Sequence, residues 1–213
     1  DIALLLEAEK ASQMPIIEKA LENAKRIHFI GIGGSGMCPL AEILHTWGYE
    51  ISGSDNNTGD NIDKLRNLGM KVILGQKPEN IEGAEIIVYT AAILKDNPEL
   101  LAAQSSGIPC FERAKLFGAM TRMFSDCIAV CGTHGKTTVT AMLTQILVMA
   151  DKDPSAVIGG RLPLIDSHGI AGKSDIMVCE ACEYQNHYHD LSPDVSVILN
   201  VDEDHLEFFK NLN

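Results

Sequence analysis

The stretch "RIHFIGIGGSGMCPLAEIL", residues 26–44, decides the fold class of the first part of the chain. An apolar run typical of a buried strand leads into a glycine loop, and a helical pattern follows. Gly31, Gly33 and Gly36 match G-x-G-x-x-G, whose glycines bring backbone amides close to a diphosphate. Asp55 follows Gly36 by nineteen residues, where a ribose-binding acid lies in dinucleotide folds. The stretch therefore predicts a diphosphate ligand and leaves NAD and other diphosphates open.

Composition limits the partners of the chain. Hydrophobic residues make up 46% of the 213 positions, and the formal net charge is −12 with no basic cluster. Nucleic acid and anionic membranes are therefore poor partners, because their phosphates need Lys and Arg. No apolar run reaches the roughly 18–20 residues of a membrane span, and residues 1–24 are interpreted as a surface helix rather than a signal peptide. Six cysteines, mostly in apolar segments, predict reduced thiols in a cytoplasmic protein.

The order of elements predicts an α/β fold. Strand-like runs "RIHFI", "YEISGSD", "KVILG" and "EIIVYT" alternate with helical patterns, among them "NIDKLRNLG", which Gly69 closes. This alternation favours a parallel sheet covered on both faces. The cycle restarts at "CIAVCG", so we place a domain boundary near residues 124–126, with a first domain 1–124 and a second unit 125–213. The second unit is expected to contain at most four strands and to be truncated, with an incompletely covered sheet that favours self-association.

A second phosphate loop, "CGTHGKTT", lies at residues 131–138 between a strand and a long apolar helix. This is the context of a P-loop, in which loop amides and the helix N-terminus face an anion. Lys136 is predicted to reach the β- and γ-phosphates of ATP, and the hydroxyl of Thr137 to bind Mg²⁺. Val130 stands where the general motif has its first glycine, so the loop is a shortened variant. The predicted cofactor-binding residues are Gly132, Thr133, His134, Gly135, Lys136, Thr137 and Thr138.

Acids and histidines downstream supply candidate metal ligands. Glu180 ends an apolar run at the predicted carboxyl edge of the sheet, where a metal-bound acid belongs, and Glu183 is a second candidate. His205 follows the last apolar run, near Asn200, Asp202 and Asp204, and a neutral imidazole nitrogen there suits a metal, although a loop histidine more often binds nothing.

Other patterns are interpreted as structural. Cys179 and Cys182 form C-x-x-C without a second pair, so they are interpreted as core or strand-edge thiols. His187 and His189 are interpreted as surface residues. The helix at 138–150 carries five apolar side chains interpreted as core: Met142, Leu143, Ile146, Leu147 and Met149.

Several motifs together resemble one family. "HFIGIGGSGMCPLAEIL", "GYEISGSD", "VYTAAILKDNPEL", "GTHGKTTVTAML", "VIGGRLPL", "EACE" and "ILNVDEDHLEFF" run in the order found in the Mur ligases of peptidoglycan synthesis, over about residues 25–209. The resemblance implies a Rossmann-like first domain that holds a UDP-sugar rather than NAD. It implies a diphosphate site at Gly31, Gly33, Gly34, Ser35, Gly36 and Met37, a uridine end near Ser54 and Asp55, and a cleft lined by Thr90 and Ala91.

The resemblance also implies the chemistry. The P-loop of the family has the same shortened form. The resemblance implies that Lys136 binds ATP phosphates, that Thr137 and Glu180 bind Mg²⁺, and that His205 belongs to a second Mg²⁺ site. The implied catalytic residues are Lys136, Glu180 and His205. The implied reaction is ATP-dependent joining of L-alanine to the lactyl carboxylate of UDP-N-acetylmuramate through an acyl phosphate.

Two departures from the family pattern leave alternatives open. The first is "YQNHYHD", which follows "EACE" where the family has a Ser/Asp-rich sequence. The second is that family chains extend well beyond this one, so the fragment is expected to bind substrate without completing catalysis. The alternatives are a ligase that adds a pre-formed peptide to UDP-N-acetylmuramate, a non-catalytic UDP-sugar or nucleotide-binding module, and a NAD-binding regulator.

Overall fold

A computed structural model describes residues 16–181 and 188–202. The chain divides into two compact units, Asp1–Ala119 and Met120–Asn213, which are described separately. Within the described ranges, no helix has both the length and the apolar character needed to cross a membrane.

The first unit is built on a five-stranded parallel sheet with strand order β3-β2-β1-β4-β5. β1 pairs with β2 on one side and with β4 on the other, so the chain reverses its direction of strand addition between β3 and β4. The crevice at such a switch point, at the carboxyl ends of the strands, is where open α/β sheets bind ligands. The strands are β1 (Arg26–Ile30), β2 (Glu50–Asp55), β3 (Lys71–Leu74), β4 (Ile86–Tyr89) and β5 (Cys110–Glu112).

Helices connect these strands and cover the sheet. Asn97 caps α4 by accepting hydrogen bonds from the amides of Glu99 and Leu100, both at 3.0 Å. Gly69, with φ +89°, ends α3 in a Schellman arrangement, which confirms its predicted capping role. The helical segments are α1 (described over 16–23), α2 (Cys38–Thr46), α3 (Asp60–Asn67), a 3₁₀ turn (Pro78–Ile81), α4 (Pro98–Ser105) and α5 (Arg113–Thr121).

The second unit holds a five-stranded sheet with order β10-β6-β9-β7-β8, parallel except for the antiparallel β7–β8 pair. The expectation of at most four strands is therefore wrong. β7 and β8 were missed because "SAVIGGRL" carries two glycines and an arginine, and "SHGI" is short and polar. The elements are β6 (Asp126–Cys131), α6 (Lys136–Met149), β7 (Ser155–Leu162), β8 (Ser167–Ile170), β9 (Ile176–Glu180) and β10 (Val195–Ile198).

Helix α6 also differs from expectation. Leu143 and Leu147 pack against the core of the sheet, but Met142, Ile146 and Met149 are 60%, 62% and 71% exposed. The interpretation of all five apolar residues as core is thus wrong for these three. The sheet covers only one side of the helix, and two fully buried threonines, Thr140 and Thr144, share that side. The prediction of an α/β fold with a parallel first sheet is confirmed.

Candidate functional site

The first glycine loop, residues 31–36, follows β1 at the carboxyl edge of the first sheet. The amides of Gly31 and Ile32 donate to the carbonyl oxygen of Ser54 at 2.8 and 3.0 Å. Gly31 has φ +84°, a left-handed conformation that favours glycine, and a Cβ there would lie 3.0 Å from Cγ2 of Thr90. The loop therefore lies between the ends of β2 and β4, at the predicted ligand crevice.

The peptide groups of Gly33 are held by two side chains. Its N–H donates to Oδ2 of Asp55 at 2.9 Å, and its carbonyl oxygen accepts from Nδ2 of Asn61 at 2.8 Å. A Cβ at position 33 would lie 2.7 Å from Cδ1 of Ile62, so a side chain there would require the end of the Ile62 side chain to shift. The other carboxylate oxygen of Asp55 accepts from the amide of Asn57 at 3.0 Å. Asp55, predicted at the uridine end, thus anchors the loop in this structure, and sequence reasoning missed Asn61.

The other residues predicted for the first site have different surroundings. Gly34 and Ser35 are exposed on the loop, and Ala91 is exposed after β4. Met37 is only 1% exposed, so its side chain belongs to the core. The hydroxyl of Ser54 is fully buried and donates to a carboxylate described next, so its side chain is already occupied within the fold.

A buried polar network supports the end of β2 and was not predicted. His28 and Glu99 are both fully buried, with Nε2 of His28 and Oε1 of Glu99 2.6 Å apart. The other carboxylate oxygen of Glu99 accepts from the hydroxyl of Ser54 at 2.7 Å and from Nδ2 of Asn80 at 3.3 Å. Nδ1 of His28 lies 2.9 Å from the hydroxyl of Ser52, its register partner on β2. A histidine inside an apolar strand was the available signal.

Arg113 lies against the first loop. A Cβ built on Gly36 would lie 3.4 Å from Nη1 of Arg113 and 3.5 Å from its Cδ. Arg113 is the first residue of α5 and directly follows β5. Sequence reasoning missed its position because β5 has only three residues and was not recognised as a strand.

The second glycine loop joins β6 to α6 at residues 132–135. Gly132 and Gly135 have φ of +139° and +86°, which other residues rarely adopt. Nζ of Lys136 donates to the carbonyl oxygens of Gly132 at 2.6 Å and Thr133 at 3.3 Å. The loop thus turns tightly around the lysine ammonium, directly before the helix N-terminus, where amide groups lack intrahelical acceptors.

The segment after β10 holds this second loop. Asn200 accepts from the amide of His134 and donates to its carbonyl oxygen, both at 2.9 Å. The hydroxyl of Thr133 accepts from the amide of Asp202 at 2.9 Å. A Cβ on Gly132 would lie 3.2 Å from the backbone nitrogen of Asn200, so the glycine permits this close approach. Sequence reasoning named Asn200 and Asp202 as neighbours of a metal ligand and missed their contacts with the loop.

Thr137 and Glu180 meet beside the second loop. Oγ1 of Thr137 donates to Oε2 of Glu180 at 3.2 Å, because β9 pairs with β6 and Glu180 lies opposite Val130. The amide of Gly159 donates to Oε1 of Glu180 at 2.6 Å. A Cβ on Gly159 would lie 2.6 Å from Oε2 of Glu180, and one on Gly160 2.8 Å from Cγ2 of Thr137. The two glycines of β7 therefore make room for the threonine and carboxylate.

Several predicted residues lie outside the part of the chain that the structure describes, and one lies on the helix after the second loop. His205, Glu183, His187 and Cys182 lie outside the described residues. Thr138 is exposed on the first turn of α6. Among the residues that the structure does describe, no group of three or more His, Cys, Asp or Glu side chains could hold a metal.

Cys179 and His189, which the structure describes, agree with the interpretation of these residues as structural. Cys179 is a buried free thiol, and a hydrogen bond with Cys127 together with burial raises the pKa of the Cys179 thiol well above its ordinary value. A thiol held protonated in this way is a poor nucleophile and metal ligand. His189 is exposed, with its ring centroid 4.2 Å from that of Tyr188.

Comparisons with known proteins match both units. Residues 26–125 match the model described as Mur ligase family, catalytic domain, and residues 130–213 match the Mur ligase middle domain. The chain belongs to the Mur ligase family. The resemblance inferred from the motifs is thereby confirmed.

Individual members of the Mur ligase family are similar over most of this chain. The UDP-N-acetylmuramate–L-alanine ligase of Clostridium acetobutylicum is 46% identical over 190 residues, 89% of this chain and 42% of the relative. The crystal structure of a UDP-N-acetylmuramate–alanine ligase from Thermotoga maritima has a TM-score of 0.78 at 31% identity, covering 87% of this chain and 44% of that one.

A Mur ligase whose name specifies a peptide instead of alanine is also similar in fold. The UDP-N-acetylmuramate:L-alanyl-γ-D-glutamyl-meso-diaminopimelate ligase of Neisseria meningitides has a TM-score of 0.76 at 27% identity, covering 89% of this chain and 64% of that one. The chain spans about 42% of the length of the curated relative from Clostridium acetobutylicum.

Proposed function

We propose that this chain is the UDP-sugar-binding and ATP-binding part of a ligase that joins L-alanine to the lactyl carboxylate of UDP-N-acetylmuramate. The observation that carries the proposal is the contact between Thr137 and Glu180 beside a P-loop with Lys136. The name of the 46% identical relative supports the two substrates. In this proposal residues 1–124 hold the sugar nucleotide and residues 125–213 hold ATP. The protein is proposed to act in the cytoplasm.

The first site would use backbone amides. The exposed loop at Gly34 and Ser35, the Gly31 turn and the neighbouring Thr90 lie at the switch point of the first sheet. The N-terminus of α2 follows this loop and favours negative charge. These features support a diphosphate ligand there, with the uridine towards Asp55 and Ala91 lining the cleft.

The second site fits Mg²⁺ with ATP. Two neighbouring oxygen ligands of an octahedral Mg²⁺ at 2.0–2.1 Å are about 3 Å apart. The 3.2 Å between Oγ1 of Thr137 and Oε2 of Glu180 matches that spacing, and hydroxyl and carboxylate oxygens are ligands that Mg²⁺ prefers. Bound there, the ion would neutralise charge on the transferred phosphoryl group. His205 is proposed as a ligand of a second ion.

The residues of the chain would mainly align the reacting groups and neutralise their negative charge. The lactyl carboxylate attacks the γ-phosphorus of ATP, ADP leaves, and the amine of L-alanine then displaces phosphate from the acyl phosphate. Lys136 is placed to move from the loop carbonyls to phosphate oxygens, where its charge opposes repulsion between carboxylate and polyanion. The Gly159 amide holds the Glu180 carboxylate in position.

A pre-formed peptide is the second candidate amine. The fold similarity to the Neisseria meningitides ligase, whose name specifies a peptide, supports this alternative. Its TM-score of 0.76 is close to the 0.78 of the Thermotoga maritima enzyme, so the fold does not discriminate between the two amines.

Ligation by a full-length protein containing this chain tests the proposal. With UDP-N-acetylmuramate and ATP–Mg²⁺, we expect phosphate release that depends on L-alanine and not on the tripeptide L-alanyl-γ-D-glutamyl-meso-diaminopimelate. Dependence on the tripeptide alone would establish the second candidate. Absence of turnover with either amine, together with tight binding of the UDP-sugar, would favour a non-catalytic binding module.

Binding experiments on the 213-residue chain itself test the two sites separately. We expect thermal stabilisation by UDP-N-acetylmuramate, weaker stabilisation by ATP–Mg²⁺, none by NADH, and no amide formation. The exposed face of α6 formed by Met142, Ile146 and Met149 supports the predicted self-association of this chain. A light-scattering mass that stays monomeric across concentration would contradict that part.

A further inference from the structure

We propose that Arg113 binds the diphosphate of the nucleotide held at the first glycine loop. This inference rests on the proposed function of the first unit and deepens it, because it names a cationic ligand for a site otherwise built from backbone amides. The loop itself, residues 31–37, contains no lysine or arginine.

The strand order explains how Arg113 reaches the loop. β5 lies at the edge of the sheet, and β4 separates it from β1. Because all five strands are parallel, α5 starts at the same carboxyl edge as the loop that follows β1. The side chain of Arg113 extends across the end of β4 to Gly36, where Nη1, Cδ and Cζ lie 3.4, 3.5 and 3.6 Å from a Cβ built on the glycine.

This contact places a cation beside the loop. A Cβ at position 36 would be in ordinary van der Waals contact with the stem and guanidinium of Arg113, so both lie next to the loop backbone. The cation thus comes from outside the G-x-G-x-x-G motif. Arg113 is half-buried, so its charge is less screened by water than that of a fully exposed residue.

The chemistry of the ligand matches an arginine. A diphosphate presents several oxygens, and the planar guanidinium can donate to two of them at once, which an ammonium cannot. The protein has a formal net charge of −12, so its overall field repels a nucleotide diphosphate. A local cation at the loop offsets that repulsion where the anion binds.

Calorimetric titration of the 213-residue chain with UDP and with uridine tests the inference. We expect Arg113→Gln to weaken UDP binding at least tenfold, to change uridine binding less than twofold, and to reduce the salt dependence of UDP binding. Arg113→Lys should weaken UDP binding less, because it keeps the charge. Arg66→Gln is the matched control, since Arg66 donates to the Val72 carbonyl on β3, and should bind UDP as the wild type does.

The outcomes separate this inference from the function on which it rests. A wild-type chain that does not bind UDP overturns both. A wild-type chain that binds UDP while Arg113→Gln binds it equally well, or loses uridine and UDP to the same extent, overturns the role of Arg113 alone.

Protection of the wild-type chain from arginine-directed phenylglyoxal gives a test that does not depend on folding of a variant. Mapped by mass spectrometry, modification of Arg113 should slow with UDP and not with uridine, and modification of Arg66 should be unaffected. Equal rates at Arg113 with and without UDP would overturn the inference.

Discussion

The two glycine loops of this protein have similar positions, each between a parallel strand and a helix, but they are held in place differently. The first is fixed by Asp55 and Asn61, which lie 22 and 28 residues beyond Gly33. It is also supported by the polar network beneath β2, in which His28, Ser54 and Glu99 are fully buried. The second is fixed by Asn200, 66 residues beyond His134, and both residues are exposed. The first loop therefore depends on the core of its unit, and the second on a late surface segment.

This difference predicts how each loop responds to mutation. A buried polar group that loses its partner keeps its full desolvation penalty, whereas an exposed one regains water. Substitutions beneath the first loop should therefore unfold its unit, and substitutions around the second loop should change ligand binding with little effect on stability.

Glu99→Ala should have the largest effect. It leaves His28, Ser54 and Asn80 without the carboxylate that joins them. We expect the free energy of unfolding of the first unit to fall by about 3–5 kcal/mol, as when one partner of a buried pair is removed. Urea unfolding measures it, with the exposed Glu82→Ala as control, expected within about 0.5 kcal/mol of wild type. Similar stabilities for the two variants would show that the network does not support the loop.

Lys136→Ala should affect chemistry rather than folding. In a full-length protein containing this chain, we expect kcat to fall about 10²–10³-fold or more, because a charge at the transferred phosphoryl group is lost. UDP-N-acetylmuramate affinity should stay within about twofold, since Lys136 lies on the second loop and donates to the carbonyl oxygens of Gly132 and Thr133 there. A variant that keeps turnover and loses sugar-nucleotide affinity would reverse the assignment of the two loops.

The sequence predicted the elements that local signals specify. The glycine loops, the Gly69 cap and the strands before each loop follow from spacing and apolar runs, and so does the proximity of Glu180 to the P-loop strand. β7, β8 and β5 were missed because their runs are short or contain glycine, and strand pairing rather than composition defines them.

The contacts that position the site could not be predicted in the same way. The pairing of His28 with Glu99 joins residues 71 apart, and the Asn200 contact joins residues 66 apart. No periodicity relates such positions, because the fold alone decides which side chains face each other. For the same reason, an apolar pattern on α6 could not show that the sheet covers only one side of the helix.

Gly33→Val and Gly34→Val separate loop packing from ligand space. A Cβ at position 33 meets Ile62 at 2.7 Å and Asp55 at 3.0 Å, whereas at position 34 its nearest neighbour is the Gly31 carbonyl oxygen at 3.4 Å. We expect Gly33→Val to reduce both stability and UDP-sugar affinity, the latter more than about tenfold, equivalent to about 1.4 kcal/mol. Gly34→Val should reduce affinity alone. Calorimetric titration beside thermal unfolding measures both, and unchanged affinity in Gly34→Val would show that this position does not face the ligand.

Asn200→Ala should have a smaller effect on the second loop. It removes both hydrogen bonds with the backbone of His134, and the exposed backbone groups regain hydrogen bonds to water. We expect ATP–Mg²⁺ affinity to fall about three- to tenfold, with unchanged UDP binding and thermal stability. Ser196→Ala, at an exposed position on β10, is the control. A large loss of stability in Asn200→Ala would remove the contrast between the two loops.

The two sheets have a similar contact at the edge opposite their glycine loops. A carboxylate just before a neighbouring strand accepts from the amino end of each unit's first strand: Glu85 from the amides of Lys25 and Arg26 at 2.6 and 3.0 Å, and Asp194 from the amide of Cys127 at 2.8 Å. The hydrogen bonds from Lys25 and Arg26 lower the pKa of the Glu85 carboxyl below its ordinary value.

The lowered pKa of Glu85 gives the smallest prediction, a pH dependence. A carboxyl whose pKa is lower in the folded state binds protons more readily when the chain is unfolded, so its stabilisation is fully present above its unfolded pKa of about 4.3 and is lost as pH falls through the folded pKa. We therefore expect Glu85→Gln to lower the unfolding temperature at pH 7, and the gap to wild type to narrow as the pH falls below about 4. Glu82→Gln, at an exposed glutamate, is the control and should unfold at the wild-type temperature at pH 7. A Glu85→Gln gap that is constant from pH 7 to pH 3 would show that the charged form of Glu85 does not stabilise this edge of the sheet.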